Sequence, residues 1–245
     1  PGARRPARAG TAAHAETRPS RWARLVDSDL FYSFIHSPVT VLSALVTLVL
    51  VIAALLAPAI APHNPFDPAT LNLMDGFTRP LQANEFTGNV YWLGTDAQGR
   101  DLFSAILYGA RVSILVGFAA VAFAALLGIT LGLIAGYRGG WVDSLIMRIA
   151  DVQLSFPAIL VALLIFGVFK GVAPPALQDR MAVYVLVVAI GLSDWVQYAR
   201  TVRSSTLAER NKEYVQAARV IGVPASAILL RHILPNVMGP VLVIA

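Results

Sequence analysis

Residues 112–137 read VSILVGFAAVAFAALLGITLGLIAGY, flanked by Arg111 and Arg138. No Asp, Glu, Lys or Arg interrupts this run. As a helix it measures about 39 Å, longer than the roughly 30 Å hydrocarbon core of a bilayer, so it tilts or projects. A charge-free run of this length defines a membrane-spanning helix, and the rest of the chain reads outward from it.

Four more apolar runs flank it. One lies between His36 and His63 without a charge. Another extends from Asp143 to Lys170, with Asp143, Arg148 and Asp151 in its first turns. A third covers Met181 to Ala199 and contains Asp194. The last, Ile233 to Ala245, is too short to span and is expected to break off inside a helix. The expected spans are residues 38–61, 111–137, 143–169, 181–203 and an incomplete 232–245. The composition agrees: 57% of residues are hydrophobic and 13% charged, against about 25% charged in soluble domains. The fold class is an all-α, multi-pass membrane bundle occupying 31–245, with no room for a second soluble domain. Residues 1–30, rich in Ala, Arg, Pro and Gly, are expected to be a disordered cytoplasmic tail. Trp22 to Phe34 could form a short amphipathic helix on the inner surface.

Charge sets the orientation. Arg4, Arg5, Arg8, Arg18, Arg21 and Arg24 precede the first span, Arg138 follows the second, and Arg200, Arg203, Arg210, Lys212, Arg219 and Arg231 follow the fourth. The 62–110 loop is acidic. The N-terminus and the loops after spans two and four are therefore expected on the cytoplasmic side. Ala59-Ile60-Ala61 resembles a cleavage site, but its apolar run exceeds a signal-peptide core. The net charge of +5 fits membrane topology without a nucleic-acid partner. With no cysteine, disulfides and thiolate sites are excluded. No Walker A, HExxH or GxSxG pattern occurs, so neither a catalytic nor a cofactor or metal site is expected.

Within the spans, Gly128, Gly132 and Gly136 share one face and would admit a close neighbouring backbone. Pro157 would kink the third span, as a packing feature or as a hinge. Asp194 would face protein or water, either in a hydrogen bond between helices or on a transport pathway. Thr95-Asp96-Ala97-Gln98 fits a capping box opening an amphipathic helix into span two.

The loop between spans four and five carries Glu213-Tyr-Val-Gln-Ala-Ala-Arg-Val-Ile-Gly222-Val-Pro224. Glu213 suits a helix N-terminus. Gly222 is placed to end the helix in a left-handed conformation, and Pro224 forbids continuation. Ala217 and Ala218 would let another protein approach closely. A surface linker and a docking element both fit these residues.

Gln216-Ala217-Ala218-x-x-x-Gly222, with Leu234-Pro235 downstream, resembles the "EAA" loop of ABC-importer permeases, with Gln216 in place of the family's Glu. Leu93 to Ser104 and Tyr108-Gly109-Ala110-Arg111 resemble the dipeptide/oligopeptide/nickel branch, and within it the "C" member of the permease pair. The resemblance implies a type I importer permease with about six spans in the full family member. It implies a coupling helix within 209–231, with Glu213, Tyr214, Gln216, Ala217, Ala218 and Gly222 at an ATPase. It further implies a homologous "B"-type permease, two cytoplasmic ATP-binding subunits that bind ATP and Mg, an extracytoplasmic substrate-binding protein, and the bacterial inner membrane. Peptide import is the expected function, with nickel or glutathione as related cargoes. An ion-coupled secondary transporter is the alternative, and an intramembrane enzyme lacks any recognisable reactive set.

Overall fold

The computed structural model describes residues 29–67 and 71–244. The expected 1–30 tail, its basic cluster and most of the Trp22–Phe34 helix lie outside the described residues. The chain divides into two bodies, Pro1–Ala53 and Ala54–Ala245. In the first, α1 is Asp29–His36 and α2 is Pro38–Leu55. Ser37 accepts the Thr40 backbone N–H and hydroxyl, at 3.4 and 2.8 Å, ahead of Pro38 at the first helical position.

The expected 38–61 span does not continue unbroken. The helix stops at Leu55, and α3, Ala57–Ile60, restarts with Pro58 in its first turn. Proline is tolerated there because early N–H groups have no helical partner.

The second body is built on α4, Leu102–Arg138, and α7, Pro175–Glu209. Between them lie α5, Gly140–Leu154, and α6, Ala158–Val172. After them come α8, Glu213–Val220, and α9, Ala225–Ile244. Gly139 and Gly140, at φ +66° and +59°, make the turn from α4 to α5. Among the described residues four helices, including α2, are long and apolar enough to cross a membrane, and α5 with α6 form a bent pair that meets the same criterion together.

That bent pair corrects the expected third span. The chain turns by 89° between α5 and α6. Pro157 is the N-cap of α6, at φ −57° and ψ 130°, not an interior kink. An extended ψ at this position ends one helix and starts another. The fifth helix also differs from expectation, since α9 begins at Ala225, eight residues before the apolar run. It passes through a π-helical segment, Ile228–Ile233, directly ahead of Pro235, whose ring and missing N–H disturb the preceding turn.

Gly128, Gly132 and Gly136 pack against α7. A Cβ on Gly128 would lie 2.5 Å from the Trp195 carbonyl, one on Gly132 2.5 Å from the Ala199 carbonyl, and one on Gly136 2.7 Å from Thr206 Cβ. Ala120 and Ala124 continue the stripe toward the helix N-terminus. Close backbone approach along small residues is how membrane helices associate when lipid removes the hydrophobic advantage. Polar clamps fix the register: Arg203 pairs with Asp143 and Arg200 with Asp151, joining α7 to α5. Trp195 donates to Gln153 at 2.8 Å, and Gln153 donates to the Leu192 and Ser193 carbonyls.

The 62–101 segment has no strand among the described residues, only two isolated bridges. Its centre is Asp75, 1% exposed. The Asp75 carboxylate accepts from Thr87, from Asn89 at 3.1 Å and from the Tyr91 hydroxyl at 2.9 Å. Burial alone would raise the Asp75 pKa, but these hydrogen bonds outweigh it and hold the carboxyl below its ordinary value. Burial and then the bond to Asp75 push Tyr91 up to about 12. The expected capping box is corrected here. Thr95 accepts from the Thr78 N–H at 2.9 Å and donates to the Asp75 carbonyl. The true N-cap of α4 is Asp101, whose carboxylate accepts from the Phe103 and Ser104 N–H groups at 3.3 and 3.1 Å and from the Ser104 hydroxyl at 2.5 Å.

Candidate functional site

The segment 209–236 assembles three elements around α8. Glu213 opens the helix, where an acid complements the dipole. At the other end, the Val223 N–H donates to the Ala218 carbonyl at 3.0 Å and the Gly222 N–H to the Arg219 carbonyl at 3.1 Å. With Gly222 at φ +81° this is a Schellman stop. Gly222 has open space around its Cα, since an added Cβ would meet nothing within 4 Å. Its requirement is therefore the left-handed backbone itself.

The inward face is apolar. Val215 and Ala218 enter a cluster with Ile228, Ile233, Val237, Val241, Tyr198 and Val202. Ala218 is thus 5% exposed and packs on its own chain, which corrects its expected place on a partner surface. The helical period separates it from Ala217, which points outward with Gln216. Val220 and Ile221 are 87% and 78% exposed, an apolar ridge beside the glycine stop. Gln216 donates from its side chain to the Asn211 carbonyl at 3.0 Å.

A polar network holds the other edge. Glu209, the last residue of α7, accepts from Lys212 at 2.8 Å and from the Tyr214 hydroxyl at 2.9 Å. Asn236 of α9 donates to the Tyr214 oxygen at 3.1 Å and to the His232 carbonyl at 2.7 Å. Burial, then the bond to Glu209, raises the Tyr214 pKa, so the phenol stays protonated. Arg210 donates to the Gly136 and Tyr137 carbonyls at 2.9 and 3.3 Å, closing the exposed end of α4. Arg219 lies 5.0 Å from the Tyr137 ring centre. None of these tethers was singled out from the sequence: those from Arg210, Arg219 and Asn236 to Tyr214 join residues distant along the chain, and those from Glu209 form only because the chain turns between α7 and α8.

Asp194 is half-buried on α7 and makes no hydrogen bond or ion pair among the described residues. It does not line the apolar groove of about 560 Å³ between α6 and α7, which is formed by Gln153, Phe156, Leu160, Leu164, Ile165 and Leu192 among others. Among the described residues, no group of three or more His, Cys, Asp or Glu could hold a metal ion.

Long apolar helices packed through glycine, with a small capped helix between two of them, define a multi-pass helical membrane protein. The chain belongs to the dipeptide/oligopeptide/nickel branch of ABC-importer permeases, as a "C"-type subunit. Residues 128–245 match the family described as binding-protein-dependent transport system inner membrane component. Residues 28–80 match the N-terminal TM domain of oligopeptide transport permease C. The chain is 41% identical over 166 residues to the dipeptide transport system permease protein of Alkalihalophilus pseudofirmus, covering 68% of this chain and 51% of that protein. It is 35% identical over 202 residues to the oligopeptide transport system permease protein of Bacillus subtilis, covering 82% and 60%. It is 33% identical over 226 residues to the probable D,D-dipeptide transport system permease protein of Escherichia coli, covering 92% and 69%. The chain thus spans about half to two thirds of the length of these relatives.

Proposed function

We propose that this chain is a translocating subunit of an ATP-driven importer of dipeptides and oligopeptides in the bacterial inner membrane. It pairs with a homologous "B"-type permease, receives cargo from an extracytoplasmic binding protein, and is driven by two cytoplasmic subunits that bind ATP and Mg. The chain itself performs no chemistry. Its N-terminus and α8 face the cytoplasm, in keeping with the basic residues around them. The relatives support a peptide cargo, since they are named for the transport of dipeptides, oligopeptides and D,D-dipeptides.

The observation that carries this reading is α8. It is a rigid, separately capped helix with its inner face anchored in the bundle and an apolar ridge, Val220 and Ile221, turned outward. Among the described residues nothing covers that ridge, and a cleft on an ATPase would. Closure of the ATPases on ATP moves α8, and α8 moves α7 and α9, so binding energy biases the bundle between inward-open and outward-open states. Asp194, half-buried and without a hydrogen bond among the described residues, takes its place along the pathway.

Gly222→Val tests this. A β-branched residue at φ +81° costs upward of about 1–2 kcal/mol and unwinds the end of α8. Membrane insertion should persist while the ATPases no longer co-purify and uptake falls. Full ATPase retention with normal uptake would overturn the assignment.

A further inference from the structure

The family resemblance places Tyr214 within the segment that would meet an ATPase, yet, with the residue 37% exposed, its hydroxyl is tied to its own chain. It donates to Glu209 at the end of α7 and accepts from Asn236 of α9, while its own backbone belongs to α8. Asn236 also holds the His232 carbonyl, next to the π-helical segment. One phenol oxygen therefore touches all three elements that meet at this corner. The neighbouring contacts are of another kind: Val215 and Ala218 are apolar and can slide, whereas a hydrogen bond to a carboxylate is directional and strong.

Building on the coupling reading above, we infer that Tyr214 is a positioning residue that transmits movement of α8 to α7 and α9, and not part of the surface gripped by the ATPase. The docking face is the side turned away from the Val215 and Ala218 anchor, with Ala217, Val220 and Ile221 exposed on it and Tyr214 at its edge. Without the hydroxyl, α8 remains folded by its Schellman stop and its apolar anchor, and Glu209 keeps Lys212 as a partner. What is lost is the rigid link, so α8 follows the ATPase while the membrane helices lag.

The test uses the full-length chain assembled with its partner permease and ATPases in lipid nanodiscs. This chain has no cysteine, so Leu164→Cys, at a groove position 67% exposed, supplies one thiol whose reaction with a water-soluble maleimide is followed by mass spectrometry at that residue. Rates are compared with and without ATP and vanadate. With Tyr214 present, nucleotide trapping should change the rate about tenfold, within the usual range of coupling between sites. In Tyr214→Phe the complex should trap as much nucleotide, yet the rate change should shrink below about twofold. Glu209→Gln, which keeps an acceptor without its charge, should fall between the two. A Tyr214→Phe protein whose thiol responds fully overturns the inference, and so does one that loses its ATPases or trapped nucleotide, because that places Tyr214 on the docking surface. A thiol indifferent to nucleotide even with Tyr214 present refutes the coupling reading beneath it.

Discussion

Replacing Gly132 by alanine adds one methyl group at a point of close backbone approach between α4 and α7. Its Cβ would lie 2.5 Å from the Ala199 carbonyl oxygen, 2.9 Å from Val202 Cβ and 3.1 Å from the Arg203 nitrogen. Two of these atoms are backbone, so no rotamer change relieves the clash. Ordinary contact starts near 3.4 Å, and α7 must withdraw by roughly 1 Å. A gap of that size forfeits a quarter to a half of the dispersion well for the atoms along the seam. Overpacking of this kind costs about 1–3 kcal/mol. The same helix contains a control. Gly117 has nothing within 4 Å of an added Cβ, so Gly117→Ala should be neutral or stabilise by up to about 1 kcal/mol, through the helix propensity of alanine. Thermal unfolding of the two variants in one detergent, followed by loss of helical circular dichroism, should lower the midpoint for Gly132→Ala only. Equal midpoints would refute the idea that glycine is there to bring α4 and α7 together.

Three further outcomes concern the 62–101 segment. Asp101→Ala removes the cap of α4 and leaves the Phe103 and Ser104 N–H groups without their acceptor, which should cost about 1–2 kcal/mol, measured as faster amide exchange over residues 102–106. Tyr91, with its pKa raised to about 12, contributes stability that is whole below its unfolded value near 10. That contribution is lost as pH rises through about 12. Tyrosine absorbance should therefore show a phenol step at about 12 that accompanies exposure of this segment, and Tyr91→Phe should remove that step. Asp75 works in the opposite direction: its lowered pKa gives stability above the ordinary carboxylate value, lost as pH falls through the depressed one.

The spans were legible because the membrane writes them as charge-free runs, and the stop of α8 was legible because Gly222 and Pro224 act locally. What escaped depended on contacts across the chain. Thr95 and Asp101 each stand ahead of a helix-like stretch and carry a capping side chain; Asp75 claims Thr95 from another part of the loop, leaving Asp101 to cap. Pro157 signalled a disturbance, but its 89° size appears only in the fold, where α5 and α6 each pack on α7. The glycine stripe announced a close neighbour without saying that α7 was the one. Ala217 and Ala218 look alike in sequence, and only the direction in which Val215 points inward separates a buried residue from an exposed one. Tyr214 was noticed as part of a motif, while its three-way bond required the fold.

Site-specific photo-crosslinking within the assembled transporter tests the coupling reading most directly. A photoreactive side chain at Ile221 and, separately, at Leu230, also exposed, would be illuminated in native membranes. The account predicts that Ile221 captures an ATPase subunit and that this capture weakens when Gly222 is replaced by Val. Capture of lipid alone at Ile221, or of a protein on the outer side of the membrane, would contradict it.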